Sequence, residues 1–560
     1  MSGAPAKEIP SDQRPPRVVI LGGGYAGVYA ALKLEKAARK GLIELAMVSQ
    51  DNFFLFQPML SEVVSGSIEP PHIVNPIRRL LRHTRFYQAE IEAVDAATST
   101  VVVRYSGRHV HYDSIPYDHL LVAVGVSTDL SMVPGMSEHA FPLKTLGDAF
   151  ALRNHLIGVI ERAQVEDDAA EKAELLTFVV VGGGYNGVEV AAEINSFVRE
   201  AARDYPNVSP GDVRVVLLQR SSRILPELSE KQAAFSHRVM ERRGIEIRLN
   251  TGIKGATVQS AVLGDGQEIA TGTVVAAMGS SPNRLLETVP GSRDRKGRLV
   301  VDETLAVPGS DGIWAAGDCA AVPDVRTGGT APPTAQHAVR EGRHVARNIL
   351  AAIKGEPLRT FSYRSLGVFV PLGRFSAAAD VAGLKIEGLM AWFLYRTYYL
   401  LQLPRLERKL RVVSDWTLEL LFHRDIVRLD IARSQGVSRA HYDAGETVFR
   451  EGGPARNLYI VLEGRVQIVS LTDGVETKVA ELGPGDFFGE RSLLRGGRHS
   501  ASARASTAVE LMVMSGTDFT ALAGASTQFD QLLKGVMGQR FGSPEQSDDS
   551  GPSSAPDRGQ

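Results

Sequence analysis

Val18-Val19-Ile20-Leu21-Gly22-Gly23-Gly24-Tyr25-Ala26-Gly27 is an apolar, β-branched run that ends in G-x-G-x-x-G. It is nearly repeated at Phe178-Val179-Val180-Val181-Gly182-Gly183-Gly184-Tyr185-Asn186-Gly187. Each copy predicts a buried strand, a tight turn and a helix that starts Val-x-x-Ala. In such a unit the first glycine makes the turn and the second lets a pyrophosphate approach the backbone. The third lets the helix pack on the strand, with its N-terminal amides aimed at the phosphate. One match carries little weight; two, each between a strand and a helix, predict two dinucleotides on one chain. Two bound dinucleotides point to electron transfer from a nicotinamide to a flavin.

The 560 residues suffice for three or four domains, and 44% hydrophobic with 22% charged residues is ordinary for a globular protein. A net charge of -2 gives no overall reason to expect nucleic acid. The single cysteine, Cys319, excludes an intramolecular disulfide framework and fits a reducing compartment. Met1 to Pro16 is polar and Pro-rich, lacks the apolar core of a signal peptide and reads as a disordered arm. No uninterrupted apolar run is long enough to predict a transmembrane helix.

Outward from the two glycine motifs, Ile43 to Val48 predicts a second strand, and Ile115 to Gly125 a buried strand ending at a turn. Glu161 to Leu176 reads as helical, and Val215 to Leu218 as a strand of the second unit. Asp311-Gly312-Ile313-Trp314-Ala315-Ala316-Gly317-Asp318 reads as a strand ending in an acid. It is expected to return to the first unit, making that domain discontinuous. After Phe361 the composition changes. Leu384 to Leu403 is apolar and aromatic, and Arg405, Arg408, Lys409 and Arg411 follow it. Tyr442 to Leu522 consists of short strand-like runs separated by Gly, Asp and Pro, as in a small β-barrel. Ser543 to Gln560 is rich in Ser, Asp, Pro and Gly and reads as disordered.

Six segments together resemble the type II NADH:quinone oxidoreductases, flavoproteins with two dinucleotide-binding domains. They are the first glycine motif, Asp51-Asn52-Phe53-Phe54-Leu55-Phe56-Gln57-Pro58-Met59-Leu60, Tyr117-Asp118-His119-Leu120, the second glycine motif with Val188-Glu189, Gly317-Asp318-Cys319, and Ala331-Pro332-Pro333-Thr334-Ala335-Gln336-His337-Ala338. The resemblance spans about Arg17 to Leu429. It implies non-covalent FAD on Gly22, Gly24, Tyr25, Ala26, Gly27, Ser49, Gln50, Pro58, Ala123, Gly125, Asp318, Ala335 and Gln336. It implies NADH on Gly182, Gly184, Tyr185, Asn186, Gly187, Glu189, Gln219, Arg220 and Gly279. Glu189 near the nicotinamide and Gln336 beside the quinone are the implied catalytic residues. A helix starting near Thr334, after two prolines, would aim its positive end at the negative charge of reduced flavin.

The chain departs from that pattern in places. The second strand of the first unit ends in Ser49-Gln50, with Asp51 late, where a ribose-binding acid is usual. In the second unit the corresponding position is Gln219, where the family often has Glu. An uncharged Gln219 does not repel a 2'-phosphate, and Arg220 or Arg223 would attract one, so NADPH is expected to be discriminated against only weakly. Arg340 stands where the family often repeats a glutamine. Disulfide reductases of this fold and sulfide:quinone reductases need reactive cysteines; a single Cys319 forms no pair and is expected to pack as a small apolar residue. No His/Cys cluster has metal spacing, and His337 with His344 reads as surface or core.

Met390, Trp392, Phe393, Leu394, Tyr398, Tyr399, Leu400, Leu401 and Leu403, next to basic residues, suit amphipathic helices near 384–411 lying on a membrane surface. A helix buried in a homodimer interface is the alternative. Tyr442-Asp443-Ala444-Gly445-Glu446 through Gly483-Pro484-Gly485-Asp486-Phe487-Phe488-Gly489-Glu490 resembles a cyclic-nucleotide-binding domain of the catabolite-activator and kinase-regulatory type. That resemblance implies Gly489 and Glu490 at the ribose and an Arg at the cyclic phosphate. Alignment on Ser500-Ala501 places His499 at the Arg position, with Arg498 one residue early, so nucleotide binding stays open. About twenty residues follow the module, too few for a helix-turn-helix.

The expected fold is therefore α/β, with two Rossmann-like domains, an amphipathic membrane-contact segment and a small β-barrel. The expected boundaries are 1–16 (arm), 17–145 and 296–360 (FAD), 146–295 (NAD(P)H), 361–426 (helical membrane contact), 427–540 (cyclic-nucleotide-binding-like) and 541–560 (tail). The expected function is non-pumping NAD(P)H:quinone oxidoreduction by a peripheral enzyme on the cytoplasmic face of the cell membrane. A soluble reductase for another acceptor and a cyclic-nucleotide-controlled redox sensor are the alternatives; no nucleic-acid partner is expected.

Overall fold

Val18 to Leu21 is completely buried and forms the centre of a five-stranded parallel sheet. The strand order is Ile313–Ala315, His119–Val122, Arg17–Leu21, Glu44–Ser49 and Arg85–Gln88, with parallel neighbours throughout. Burial on both faces explains why these strands read as continuous apolar runs rather than alternating ones. The edge strand Ile313–Ala315 arrives from beyond the second parallel sheet and pairs with His119–Val122. The computed structural model describes residues 14–105, 111–365, 367–429, 438–453, 455–472, 475–495, 498–516 and 518–519. The expected tail at 541–560 lies outside these residues, as does the expected arm up to residue 13. Residues 14–16 are tied down, contrary to expectation: Arg14 pairs with Asp118 at 2.6 Å, and the Pro16 carbonyl accepts from the Glu44 amide at 3.0 Å.

A second parallel sheet runs Ala140–Pro142, Thr273–Ala276, Thr177–Val181, Arg214–Leu218 and Ile245–Arg248. Its first strand precedes residue 146, so the second domain begins earlier than expected. Each parallel sheet is accompanied by a three-stranded antiparallel meander. These are Glu90–Asp95, Thr100–Tyr105 and His111–Pro116 in the first domain, and Ile253–Ala256, Ser260–Leu263 and Glu268–Ala270 in the second. The run Ile115 to Gly125 is thus two strands. Ile115 and Pro116 close the meander, and the chain turns at Asp118, whose carboxylate accepts from the Arg17 amide at 2.6 Å. Glu161 to Leu176 also splits. One helix ends at Val165, and Asp168 caps a new helix, Ala169–Leu175, by accepting from the Ala170 and Glu171 amides.

The segment expected to be helical from 361 opens instead with an antiparallel sheet, Gly367–Pro371, Ala377–Val381 and Leu384–Gly388. Gly388, at φ 74°, turns that sheet into the helix Leu389–Gln402, and a second helix spans Leu406–Leu421. No helix among the described residues is long and apolar enough to cross a membrane.

The chain partitions into two compact units, Met1–Leu130 with His139–Ile431, and Ser131–Glu138 with Ala432–Gln560. In the second, two four-stranded antiparallel sheets form the expected barrel. One is ordered Ser438–Tyr442, Val509–Ser515, Asn457–Glu463 and Phe487–Phe488. The other is ordered Thr447–Phe449, Ser502–Ala505, Val466–Thr472 and Val475–Leu482. Tyr442, Tyr459, Val461, Phe488 and Leu511 lie in its core.

Candidate functional site

The two glycine loops are built alike. Gly22 has φ +105°, and a Cβ there would lie 2.3 Å from the Ala123 carbonyl oxygen; one at Gly27 would lie 2.1 Å from the Gly22 oxygen. Gly182, at φ +110°, and Gly187 repeat this, with a Gly187 Cβ 1.7 Å from the Gly182 oxygen. The middle glycines differ from their neighbours. A Cβ on Gly24 or Gly184 would meet no protein atom within 4 Å. The helices that follow, Tyr25–Arg39 and Tyr185–Ala201, have neither a side-chain cap nor an acid in the first turn. Space and unfilled amides therefore lie together, and the residues present fit a pyrophosphate at both loops.

The other residues implied for FAD gather at the carboxyl ends of the first parallel sheet. Ser49 ends one strand and sits so close to Gly23 that a Cβ there would be 2.7 Å from its hydroxyl. Gln50 follows Ser49, while Ala123 and Gly125 follow His119–Val122. Asp318 follows Ile313–Ala315 by three residues and is half-buried. Burial raises its carboxyl, and the charges of Lys144 and Arg298 oppose the rise. Lys144 donates to the Val126 carbonyl, and its own carbonyl accepts from Gln57, next to Pro58, at 3.0 Å. Gly317, Asp318, Ala331 to Thr334, Glu341 and Arg298 line one small cavity.

Ala335 and Gln336 open the helix Ala335–Ile353, capped by Thr334 as expected. Close packing of this helix on Tyr25–Arg39 depends on Gly342, where a Cβ would lie 2.2 Å from the Ala26 carbonyl oxygen. The Gln336 amide nitrogen donates to the Gly367 carbonyl at 2.9 Å, and its oxygen accepts from the Tyr363 hydroxyl at 3.1 Å. Arg340 lies over the Tyr363 ring at 4.7 Å.

In the second domain Gln219, Arg220 and Gly279 occupy the equivalent strand ends. The Gln219 side-chain oxygen accepts from the Gly183 amide at 2.9 Å, which turns it into the glycine loop. Arg220 is exposed, whereas Arg223 donates to the Pro226 carbonyl at 2.8 Å. Asn186 donates to the Leu143 carbonyl at 3.3 Å. Glu189 is not an exposed helix acid. Burial raises its carboxyl well above the ordinary range, and the nearby Glu62 and Glu193 charges add to the rise.

Cys319 is buried and its thiol is pushed up to about 12, so it offers no thiolate. His337 is buried and bonds Thr334, His344 bonds the Arg359 carbonyl, and no metal-binding cluster occurs among the described residues. In the barrel Gly489 has φ +92° and Glu490 is buried. Arg498 donates to the Gly452 carbonyl at 3.1 Å, and Ser500 is exposed. His499 is buried, and its imidazole is pushed down to about 4 by burial.

Sequence reasoning missed Lys144, Arg298 and Glu62. Only Glu62 carried a signal, as the one acid within the apolar run Met59 to Val64.

Comparison with known proteins agrees with this geometry. Residues 16–342 match the pyridine nucleotide-disulphide oxidoreductase family, and 439–526 match the cyclic nucleotide-binding domain. The type II NADH:quinone oxidoreductase NdhA of Mycobacterium tuberculosis is 30% identical over 422 residues, covering 72% of this chain and 87% of that protein. The chain belongs to the type II NADH:quinone oxidoreductases. The demethylphylloquinone reductase NdbB of Synechocystis is 30% identical over 411 residues, covering 72% of this chain and 95% of that protein. The Plasmodium falciparum NDH2 structure in complex with NADH shares the fold. Its TM-score is 0.68 at 18% identity, over 74% of this chain and all of that one. As a type II enzyme the protein uses FAD and NADH, and the C-terminal barrel is an addition to the redox core.

Proposed function

We propose that this enzyme oxidises NADH at the second glycine loop and reduces a quinone at a membrane surface. When bound, FAD takes up the reducing equivalents of NADH and passes two electrons to the quinone. The apolar face of the two C-terminal helices of the redox unit carries the membrane reading. Leu389, Met390, Phe393, Leu401, Leu406 and Leu410 are each more than 60% exposed, while Ala391, Tyr395, Val412 and Trp416 face inward. A soluble surface rarely gathers so many large apolar side chains, and a bilayer interface accepts them. The basic group contributes less than its composition suggests. Arg408 is buried, and Arg405 and Arg411 both pair with Glu407.

In this reading Gly22 to Gly27, Ser49, Asp318 and Ala335 hold FAD, while Gly182 to Gly187 and Gly279 hold NADH. Glu189 lines the nicotinamide side and Gln336 the acceptor side. The uncharged Gln219 and exposed Arg220 admit NADPH as a second donor. The buried, protonated Cys319 fits the cytoplasmic face, and the barrel serves as a regulatory module. Replacing Phe393, Leu401, Leu406 and Leu410 with Ser should abolish flotation with anionic liposomes and lower turnover with long-tailed quinones. Flotation unchanged, with a dimer converted to monomer, would assign the face to a homodimer instead. A purified flavoprotein that reduces no quinone would favour the redox sensor or the soluble reductase.

A further inference from the structure

Beneath the apolar helices lies a buried cluster of charge. Glu62, on the short helix Leu60–Val64, is 4% exposed. One carboxyl oxygen accepts from the Tyr395 hydroxyl at 2.9 Å and the other from the Trp416 indole at 2.8 Å. Arg396 lies 3.9 Å away but bonds Glu419 instead, at 3.0 Å, and its guanidinium is held between the Trp392 and Trp416 rings. Arg424 also takes Glu419, at 2.7 Å, and approaches Glu193 at 3.7 Å. Arg396 and Arg424 thus face Glu62, Glu193, Glu200 and Glu419, while Glu189 feels the charges of Glu62 and Glu193. Glu419 holds both cations and is kept ionised, whereas Glu62 is pushed up to about 7 by burial. Arg153, on the helix Leu146–Val165 that also packs against this region, is engaged with the Asp425 carbonyl.

Glu62 connects in two directions. Toward the acceptor side, Tyr395 meets Tyr399 edge-on at 4.9 Å, and Tyr399 meets Tyr398 at 5.3 Å. The Arg340 charge acts on Tyr398, and Arg340 covers Tyr363, the partner of Gln336. Away from it, Glu419 accepts from the Ser67 hydroxyl at 2.9 Å, Ser67 meets Ser65 at 3.0 Å, and Ser65 donates to the Glu62 backbone carbonyl at 3.1 Å. Arg424 joins that string to Ser196 and Glu200, on the wall of an open cleft of about 250 Å³.

The reaction NADH + H⁺ + quinone → NAD⁺ + quinol consumes one solvent proton per turnover, on the side that the apolar helices cover. We propose that Glu62 is the proton reservoir for quinone reduction, delivering through the Tyr395 hydroxyl. The Glu62 O–H bond breaks as the Tyr395 oxygen takes that proton, and the Tyr395 hydroxyl proton forms the new O–H on the quinone oxygen. The two electrons come from NADH, and a solvent proton restores Glu62. A carboxylic acid that titrates near neutrality is suited to this transfer.

The proposal rests on the NADH:quinone reading, and its test separates the two. In the full-length, FAD-loaded protein, quinone turnover is compared with turnover of ferricyanide, which takes electrons without protons. Glu62→Gln and Tyr395→Phe should each lower the quinone-to-ferricyanide ratio on the order of 10²-fold. Independently of turnover, tryptophan fluorescence of the wild-type protein should titrate near pH 7 as the acceptor of the Trp416 indole changes charge, and Glu62→Gln should abolish that transition. Quinone and ferricyanide rates that fall in parallel, or a transition that survives Glu62→Gln, would overturn the assignment. A wild-type protein that reduces ferricyanide but no quinone would overturn the quinone reading itself. Tyr395→Phe provides the kinetic test if Glu62→Gln does not fold.

Discussion

The imidazole of His499 lies flat on the ring of Phe449, with 3.6 Å between centroids and 7° between planes. The resemblance to cyclic-nucleotide-binding domains would put this histidine in place of the arginine that holds the cyclic phosphate. Its burial and its depressed affinity for protons, to about 4, keep it neutral at pH 7. Calorimetry on the full-length protein should therefore detect no cyclic AMP binding tighter than about 1 mM at pH 7. His499→Arg should tighten binding at least tenfold, because a charge-assisted pair contributes roughly 1.5–3 kcal/mol. Micromolar binding by the unmodified protein would transfer the phosphate contact to Arg498.

Gln219 is held by the Gly183 amide at 2.9 Å, so the end of the Arg214–Leu218 strand stays ordered without a carboxylate. Gln219→Glu preserves that acceptor and adds a negative charge close to the ribose of the donor. We expect kcat/KM for NADPH to fall about tenfold more than for NADH, a difference of about 1.4 kcal/mol from repulsion of the 2'-phosphate. Equal losses would show that position 219 does not discriminate between the two.

The parallel sheets and the two loops were legible in the sequence because two-sided burial imposes unbroken apolar runs, and because glycine is the only residue that fits at Gly22 and Gly27. The return of Ile313–Ala315 was legible for the same reason. Element ends were less so. Ile115 and Leu120 are both buried and apolar, and the turn between them depends on Asp118 meeting Arg14 and the Arg17 amide, which no local pattern encodes. The segment expected to contact a membrane shows the limit most clearly. Trp392, Tyr395 and Tyr399 have the same composition as Phe393 and Leu401, yet they pack against Phe375, Glu62 and Phe56. Arg396, a charge within the apolar run Leu384 to Leu403, is neutralised inside the protein by Glu419.

Glu341 gives the fold a pH dependence. Its carboxylate accepts from the Gly317 amide at 2.7 Å, but burial dominates and pushes it up to about 7. In the unfolded chain it titrates near 4.3. Between those values the folded state holds more protons, so stability falls as pH rises through this window. The contribution is complete below the lower value and lost above the upper one. Glu62 and Glu138, also pushed up to about 7, act in the same direction. Burial lowers His119, His337, His344 and His499, which act the opposite way, so the Glu341 contribution is read as the difference in denaturant midpoint between wild type and Glu341→Gln from pH 5 to pH 8. Relative to Glu341→Gln, the wild-type protein should lose about 1–3 kcal/mol of stability over that range. A wild-type-to-Glu341→Gln difference that does not change with pH would contradict the argument.

Gly24 and Gly27 lie in one loop but should fail differently when given a methyl group. A Gly27 Cβ would be 2.1 Å from the Gly22 carbonyl oxygen, a backbone atom that cannot yield without moving the helix off the strand. Gly27→Ala should thus destabilise the protein by at least about 1–3 kcal/mol, with or without cofactor. A Gly24 Cβ meets no protein atom within 4 Å, so the fold tolerates it. The space it enters is the one left for the pyrophosphate of FAD. Gly24→Ala should unfold at nearly the wild-type denaturant midpoint when both are stripped of flavin, yet bind FAD at least tenfold more weakly. Gly184→Ala should keep its yellow colour and lose NADH affinity instead. If Gly24→Ala retains wild-type FAD affinity, the pyrophosphate does not cross this loop, and if it unfolds like Gly27→Ala, the open space is not a ligand cradle.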